Sequence, residues 1–189
     1  MSDHKVPANF YDLDAILALS SNVPCTIQKS IDDQFFTQML GMKRPESVDD
    51  KGHKLEVPLW LLSAIQEHCE PSLPYAFNTA MQGVMKADAT HVNLERIQQY
   101  YYEFGMELCR LLKGRDTETA IQVARTMWDT FVQRIGGIIQ KAIQGGKPEK
   151  MDQLERKLFE ECVESNAQML AFMGFSSSNL NKSKRKRSA

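Results

Sequence analysis

Residues 121–142 read IQVARTMWDTFVQRIGGIIQKA, and their apolar positions recur at alternating spacings of three and four. This alternation is typical of an α-helix that packs lengthwise along another helix. The apolar positions are Ile121, Ala124, Trp128, Phe131, Ile135, Ile138 and Ala142. Gly145 and Gly146 follow the pattern, and glycines commonly terminate helices. We therefore predict a long helix across this segment.

The aromatic residues Trp128 and Phe131 lie one turn apart on the same face of this helix. Aromatic side chains are favoured both in cores and as interface anchors, and we predict that these two lie mainly in the core. Additional apolar residues beside the main patterns widen the apolar surface. The width indicates either a helix buried from two sides or a surface reserved for another subunit. The candidate subunit-interface residues are Tyr100, Leu112, Met127, Val132 and Ile139.

Two adjacent glycines, Gly136 and Gly137, stand inside the same helical pattern. Each costs about 1 kcal/mol relative to alanine in a helix interior. Glycines at such a position commonly mark a kink or a close helix crossing, and we predict one of these here.

The chain is predicted to be helical from Pro58 onward, because proline suits the first turn of a helix and the following apolar residues have helical spacing. A second three-four pattern runs from Leu94 to Leu111 and ends at Gly114. About five helices are predicted, over residues 59–68, 75–86, 94–111, 121–142 and approximately 149–172.

The segment before residue 58 predicts a small β-rich module. Asp12 can open a short helix over 10–19, the segments 23–28 and 54–57 have strand character, and 41–52 has loop composition. The predicted fold is therefore mainly α, or α+β overall. It comprises a β-rich domain at 1–57 with a short N-terminal helix, an α-helical domain at 58–175 and a disordered basic tail at 176–189.

The net charge of −1 hides an asymmetry between the body and the tail. The tail carries five basic residues and no acid, which leaves −6 on residues 1–175. An acidic body does not suit a direct grip on nucleic acid, so any DNA contact is expected to be indirect or weak. The tail composition favours a nuclear import signal, with a nucleic-acid contact as the alternative. The candidate import residues are Lys182, Lys184, Arg185, Lys186 and Arg187, and the expected location is the nucleus.

The sequence lacks recognisable motifs for chemistry. Gly146 and Lys147 are followed by Pro148 and lack the earlier glycine of a phosphate-binding loop. The four cysteines are at least 40 residues apart, which provides neither a disulfide framework nor zinc-ligand spacing. We expect no catalytic, cofactor-binding or metal-binding residues, no membrane span, no small-molecule substrate and no enzymatic activity.

Several short segments resemble one family in the same order and at similar distances. They are NFYDLDAIL at 9–17, Val-Pro at 23–24, KLEVPLWL at 54–61, Val-Asn-Leu at 92–94, Phe104-Gly105 with Leu108, Thr130-Phe131 with Arg134, and Glu155-Arg156 with Leu158-Phe159. The octet at 54–61 is the most specific of them. Together they resemble the subunits of the GINS DNA replication complex, in particular its Psf-three subunits.

This resemblance implies a non-catalytic structural subunit that assembles with three other GINS subunits into a heterotetramer. It also implies that the complex binds the minichromosome maintenance helicase ring and a RecJ-like initiation factor, as scaffold and activator of the replicative helicase. The alternative is a stand-alone nuclear nucleic-acid-binding or adaptor helical protein. Salt-dependent DNA binding by the isolated chain would distinguish that alternative.

Overall fold

The computed structural model describes residues 12–27, 32–38, 40–41, 43 and 52–174. Within them, three short strands form one antiparallel sheet in the order β2-β1-β3. The strands are β1 Asn22–Ile27, β2 His53–Pro58 and β3 Cys69–Pro71. The first two agree with the predicted strands. β3 was not predicted, because three residues are too short to display the two-residue period of a strand.

Helices account for most of the described residues, and the mainly α fold with a small sheet is confirmed. A 3₁₀ turn at Tyr75–Phe77 accompanies eight α-helices in the described part of the chain. The helices are α1 Leu13–Leu19, α2 Asp33–Gln38, α3 Leu59–Ile65, α4 Thr79–Asp88, α5 Leu94–Ile97, α6 Tyr101–Lys113, α7 Thr117–Ile143 and α8 Gln153–Phe172.

The helix boundaries follow local signals in the sequence. The Asp12 carboxylate accepts a hydrogen bond from the Asp14 N–H and caps α1, and α3 begins directly after Pro58. The helix predicted over 94–111 is instead two helices, α5 and α6, because Gln98 has an extended backbone with φ −158° and ψ 111°. Six helices therefore follow Pro58 in the described residues, rather than about five.

The main core is continuous from the sheet into the helices. Val23 on β1, Leu108 on α6 and Val123 on α7 belong to one buried apolar cluster. α1 packs against α6, and Asp14 of α1 also forms an ion pair with Lys157 of α8 at 2.5 Å. The boundary at residue 57 stays a prediction, since this core extends across it. The tail 176–189 and most of the loop predicted at 41–52 lie outside the described residues.

The orientation of α7 differs from the prediction. Trp128 is 66% exposed, so the prediction that it lies in the core is wrong, whereas Phe131 is half-buried. The buried face of α7 consists of Ala120, Val123, Thr126, Met127, Thr130, Arg134, Ile138 and Ala142. Three of these residues are polar. A search for apolar spacing passes over them and selects a row that is rotated away from the buried face, although Ile138 and Ala142 belong to both.

Three of the candidate interface residues are buried inside the chain, which corrects their assignment. Met127 inserts between α6 and α7, Tyr100 lies where α1 meets α6, and Leu112 is on the inner side of α6. They cannot offer surface to another subunit without unfolding. Val132 and Ile139 are exposed and remain candidates.

The close helix contact occurs at Gly105 and not at the two glycines of α7. A Cβ atom on Gly105 would overlap the Met127 sulfur and lie 2.9 Å from a ring carbon of Phe77. α7 continues as one helix through Gly136 and Gly137, and no described atom approaches within 4 Å of a Cβ placed on either. The crossing predicted at those two glycines is therefore absent from the described part of the chain.

Candidate subunit interface

One side of α7 carries a row of apolar side chains that nothing in the described chain covers. Successive members are seven, four, seven and four residues apart, which places them on one face of a helix. Over 22 residues this row extends about 33 Å at 1.5 Å per residue. We call it the outer stripe. Its members are Ile121, Trp128, Val132, Ile139 and Ile143.

The outer stripe has the composition of an interface core. Phe131 lies beside Trp128 with the ring centroids 6.5 Å apart, and its other side contacts the Tyr102 ring edge-on at 5.7 Å. The exposed charged residue Asp129 borders the stripe, and exposed Arg125 lies on the same face between Ile121 and Trp128. Apolar centres that contain aromatic anchors and have polar rims are characteristic of protein–protein interfaces. The stripe can therefore pack lengthwise against a helix of another chain.

Arg134, on the opposite side of α7, holds the helix in this orientation. Its Nε donates to Glu155 Oε1 at 2.7 Å, and its Nη2 donates to Glu155 Oε2 at 2.9 Å. Its Nη1 donates to the carbonyl oxygens of Ala89 at 2.6 Å and Val92 at 2.9 Å. Nη2 also donates to the Lys150 carbonyl at 2.8 Å. All five N–H groups of the guanidinium are thus satisfied within the chain.

Lys150, whose carbonyl accepts from Arg134, has an unusual backbone conformation. Its φ of 65° lies in the left-handed region, which non-glycine residues seldom adopt. In this conformation the Lys150 carbonyl accepts from Arg134 and also from the N–H of Leu94, at 3.3 Å. The loop before α8 is therefore tied to both α5 and α7.

Glu155 is fully buried and has a second partner. The Tyr102 hydroxyl donates to Glu155 Oε1 at 2.9 Å, and the pKa of Tyr102 is raised by burial and by the adjacent Glu155 carboxylate. For Arg134, burial opposes the charged form, yet its hydrogen bonds to Glu155 raise its pKa above the ordinary value. Arg134 and Glu155 therefore form a buried ion pair.

Asp152 completes the buried cluster, which we define as Arg134, Glu155, Tyr102 and Asp152. Its carboxylate caps α8 by accepting from the Glu155 N–H at 2.9 Å. Burial raises the pKa of Asp152 to about 7, although the hydrogen bond from Glu155 acts in the opposite direction. Every strong hydrogen-bond donor of the buried cluster is used inside the chain. The role of the cluster is therefore to fix α7 against α8.

Several sequence-predicted residues do not come together in the fold. Val132 and Ile139 lie on the outer stripe, whereas Tyr100, Leu112 and Met127 are buried. The import residues lie outside the described range, and they are Lys182, Lys184, Arg185, Lys186 and Arg187. Sequence reasoning missed Ile121, Trp128 and Ile143 as surface residues. Ile121 and Trp128 belong to the three-four pattern, which was attributed to the core, and Ile143 lies one residue beyond the end of that pattern.

Apolar side chains are also exposed outside the outer stripe. Examples lie on α1 and at the end of α8, where Phe172 is 93% exposed. Among the described residues, no group of three or more side chains is arranged to hold a metal ion. None of the described helices combines the length and the apolar character needed to cross a membrane.

Comparisons with known proteins identify the helical part of the chain. The family model described as "GINS complex protein helical bundle domain" (Sld5) matches residues 76–174. The chain is similar to the "DNA replication complex GINS protein PSF3" of Xenopus laevis, with 28% identity over 161 residues, covering 80% of this chain and 73% of the relative.

Relatives of the same name occur in other eukaryotes. The Phaeosphaeria nodorum protein is 30% identical over 145 residues, covering 71% of this chain and 74% of the relative. The Homo sapiens protein is 23% identical over 164 residues, covering 80% and 74%. The chain therefore belongs to the PSF3 family of GINS complex proteins.

Proposed function

We propose that this chain is a non-catalytic structural subunit of a GINS heterotetramer and that the outer stripe of α7 packs against a neighbouring GINS subunit. The observation that carries this proposal is the position of Trp128 and Val132, which are exposed on a helix whose opposite face is already fully engaged. The names of its relatives, DNA replication complex GINS proteins, supply the class of partner.

The buried cluster and the outer stripe have complementary roles in this proposal. The cluster determines the rotation of α7 about its axis, and that rotation directs the stripe outward. Because the stripe is presented by one long helix, its residues are held in a fixed row before the partner arrives. A preorganised surface loses less conformational freedom on binding, which favours a stable complex of one geometry.

We further propose, from the family resemblance, that the assembled complex supports DNA replication as a scaffold and activator of the replicative helicase. In this role it binds the minichromosome maintenance helicase ring and a RecJ-like initiation factor. The chain itself contributes no catalytic group, and any contact with DNA is indirect or weak.

The interface proposal is tested by co-expressing the chain with three GINS partners and measuring the molar mass of the purified complex by light scattering. Val132→Glu should abolish or strongly reduce the heterotetramer while leaving helical circular dichroism unchanged, because Val132 is 53% exposed. Val84→Glu on α4 is the matched control, since Val84 is 51% exposed and lies off the stripe. A full yield of heterotetramer from Val132→Glu would refute the interface.

We also propose that the tail 176–189 directs the chain to the nucleus. Its five basic residues and lack of acids have the composition of an import signal. Deleting 176–189 from a fluorescently tagged chain should reduce nuclear accumulation without changing the yield of the complex. Unchanged accumulation when partner subunits are depleted, so that none can carry the chain, would count against the proposal.

A further inference from the structure

Two cysteines on neighbouring strands face the same side of the sheet. In the pairing of β1 with β3, Ile27 lies opposite Cys69 and Cys25 lies opposite Pro71. Cys25 and Cys69 are therefore diagonal neighbours, and alternate residues of a strand project to the same face. Both are almost fully buried. This places two thiols within side-chain reach of each other.

The surroundings favour the thiolate form of Cys69. The Cys25 thiol, as hydrogen-bond partner of the Cys69 sulfur, lowers the pKa of Cys69, and this outweighs the opposing effect of burial. The positive charge of Arg115 adds to the lowering, and its Nη1 donates to the Cys69 carbonyl at 2.6 Å. The same contact with Cys69, together with burial, raises the pKa of Cys25. The two cysteines are therefore unequal, with Cys69 as the more acidic.

A surface groove borders Cys69. It has a volume of about 660 Å³ and lies between β3 and the turn that joins α6 to α7. Cys69, Arg115 and Thr119 are among its lining residues. Cys109 differs, because its thiol donates to the Ala120 carbonyl at 3.5 Å and burial raises its pKa. Thiol reactivity follows thiolate fraction and access, and among Cys25, Cys69 and Cys109 the pKa is lowered at Cys69 alone. Cys69 is 3% exposed, so an oxidant as small as hydrogen peroxide has to reach its sulfur from the adjacent groove.

We propose that Cys69 and Cys25 form a reversible redox pair that responds to hydroperoxides, a role distinct from subunit assembly. The Cys69 thiolate attacks one oxygen of hydrogen peroxide, the O–O bond breaks, and the departing hydroxide is protonated to water. Cys69 is then a sulfenic acid. The Cys25 sulfur loses its proton and attacks the Cys69 sulfur, the S–O bond breaks, and a second water leaves. Two thiols are oxidised to one disulfide, and the peroxide is reduced.

The sheet can accommodate a disulfide between Cys25 and Cys69 because Cys69 lies on an edge strand. A diagonal pair is farther apart than a directly opposed one, so closure needs a small approach of the two strands. β3 is a three-residue strand at the edge of the sheet, with β1 as its one strand partner among the described residues. A short edge strand can shift without disturbing β2. The product links β1 covalently to the chain that precedes α4.

The test exposes the full-length chain to hydrogen peroxide, blocks the remaining thiols with N-ethylmaleimide and identifies peptides by mass spectrometry. The expected product is a disulfide-linked pair of peptides that contain Cys25 and Cys69. It should form before Cys109 is oxidised and should disappear on treatment with dithiothreitol. The proposal is overturned if Cys69 remains a free thiol while Cys109 or Cys162 is oxidised.

Two variants separate the roles of the groups. In Cys25→Ser, which keeps a hydrogen-bond donor beside the Cys69 sulfur but cannot form a disulfide, the reaction should stop at a Cys69 sulfenic acid that dimedone traps. No dimedone adduct on Cys69 would also overturn the proposal. Arg115→Gln should slow the oxidation of Cys69, because loss of the positive charge raises the pKa of Cys69 and so lowers its thiolate fraction. Arg110→Gln is the control, because Arg110 is exposed on α6 and pairs with partly exposed Glu107. Equal rates in the two arginine variants would refute the role of Arg115. Circular dichroism verifies that each variant is folded.

Discussion

Arg134 shows how a single side chain can determine what a helix presents to solvent. Its guanidinium connects α7 to α8 through Glu155 and to the segment after α4 through the carbonyls of Ala89 and Val92. Burying two charges costs several kcal/mol, and the energy is recovered only when geometry and hydrogen bonding are complete. Here both conditions are met. The ion pair therefore specifies the orientation of α7 more than it adds net stability.

Removing one partner of this pair should be severe. Arg134→Met leaves the Glu155 carboxylate buried without its cation, and we expect the free energy of unfolding to fall by about 3–5 kcal/mol. Chemical denaturation followed by circular dichroism measures the loss. Arg156→Met is the matched control, because the Arg156–Glu95 pair is partly exposed and its removal should cost less than about 1 kcal/mol. Equal losses in the two variants would contradict the role given to the buried pair.

α6 and α7 are held close together by Gly105. The Phe77 ring and the Met127 side chain occupy the space that a β-carbon would need. Met127 is consequently 7% exposed although it lies next to exposed Trp128. The contact lets the inner face of α7 pack closely against α6. A glycine in a helix interior is here required by packing, at the usual cost in helix propensity.

Gly105→Ala should therefore destabilise the chain despite the better helix propensity of alanine. Overpacking costs about 1–3 kcal/mol, which exceeds the gain in propensity of about 1 kcal/mol. Thermal unfolding of Gly105→Ala should occur at a lower temperature than in the wild type. Gly83→Ala on α4 is the control, because outside the neighbouring backbone of α4 no described atom lies within 4 Å of its added carbon, and that variant should be stabilised. A higher unfolding temperature for Gly105→Ala would contradict this prediction, since it would mean that Phe77 and Met127 can move aside at little cost.

The elements differ in how far their sequence predicts them. Apolar spacing and capping residues predict α7 to within a few residues, because both signals are local. They do not predict the rotation of α7. Its buried face includes Thr126, Thr130 and Arg134, and these are polar residues whose partners are distant in sequence. The break at Gln98 has the same origin, since the nearby Gln99 carbonyl accepts from the Gln153 N–H of α8.

The candidate site was predicted in part, for a related physical reason. Excess apolar width on α7 correctly indicates two apolar faces, and Val132 and Ile139 lie on the exposed one. Periodicity cannot tell which of two apolar faces is internal. That choice depends on Gly105, which admits Met127, and on Glu155, which draws Arg134 inward. Neither dependence can be recognised within one helical segment.

The described part of the molecule has a main core, a smaller buried cluster that includes Ile138 and Phe159, and a long apolar surface, the outer stripe, that lies outside both. Trp128 is the largest residue on that surface, and it contacts Phe131 without entering the core. Its position allows folding and assembly to be altered separately. A residue that is buried only on association contributes to the stability of the complex and hardly to that of the free chain.

Trp128→Ala should therefore leave the free energy of unfolding of the isolated chain within about 0.5 kcal/mol of the wild-type value, as for other exposed positions. In the complex, the same change should weaken association by about 2 kcal/mol or more, the usual effect of removing an aromatic anchor. Denaturation of the free chain and dissociation of the heterotetramer on dilution provide the two measurements. Tyr75→Ala is the control, since Tyr75 is 68% exposed and lies off the outer stripe, and it should alter neither quantity. A loss of about 3–5 kcal/mol in the isolated chain would instead assign Trp128 to the core, as the apolar pattern alone predicts. An unchanged complex would exclude the stripe as the interface.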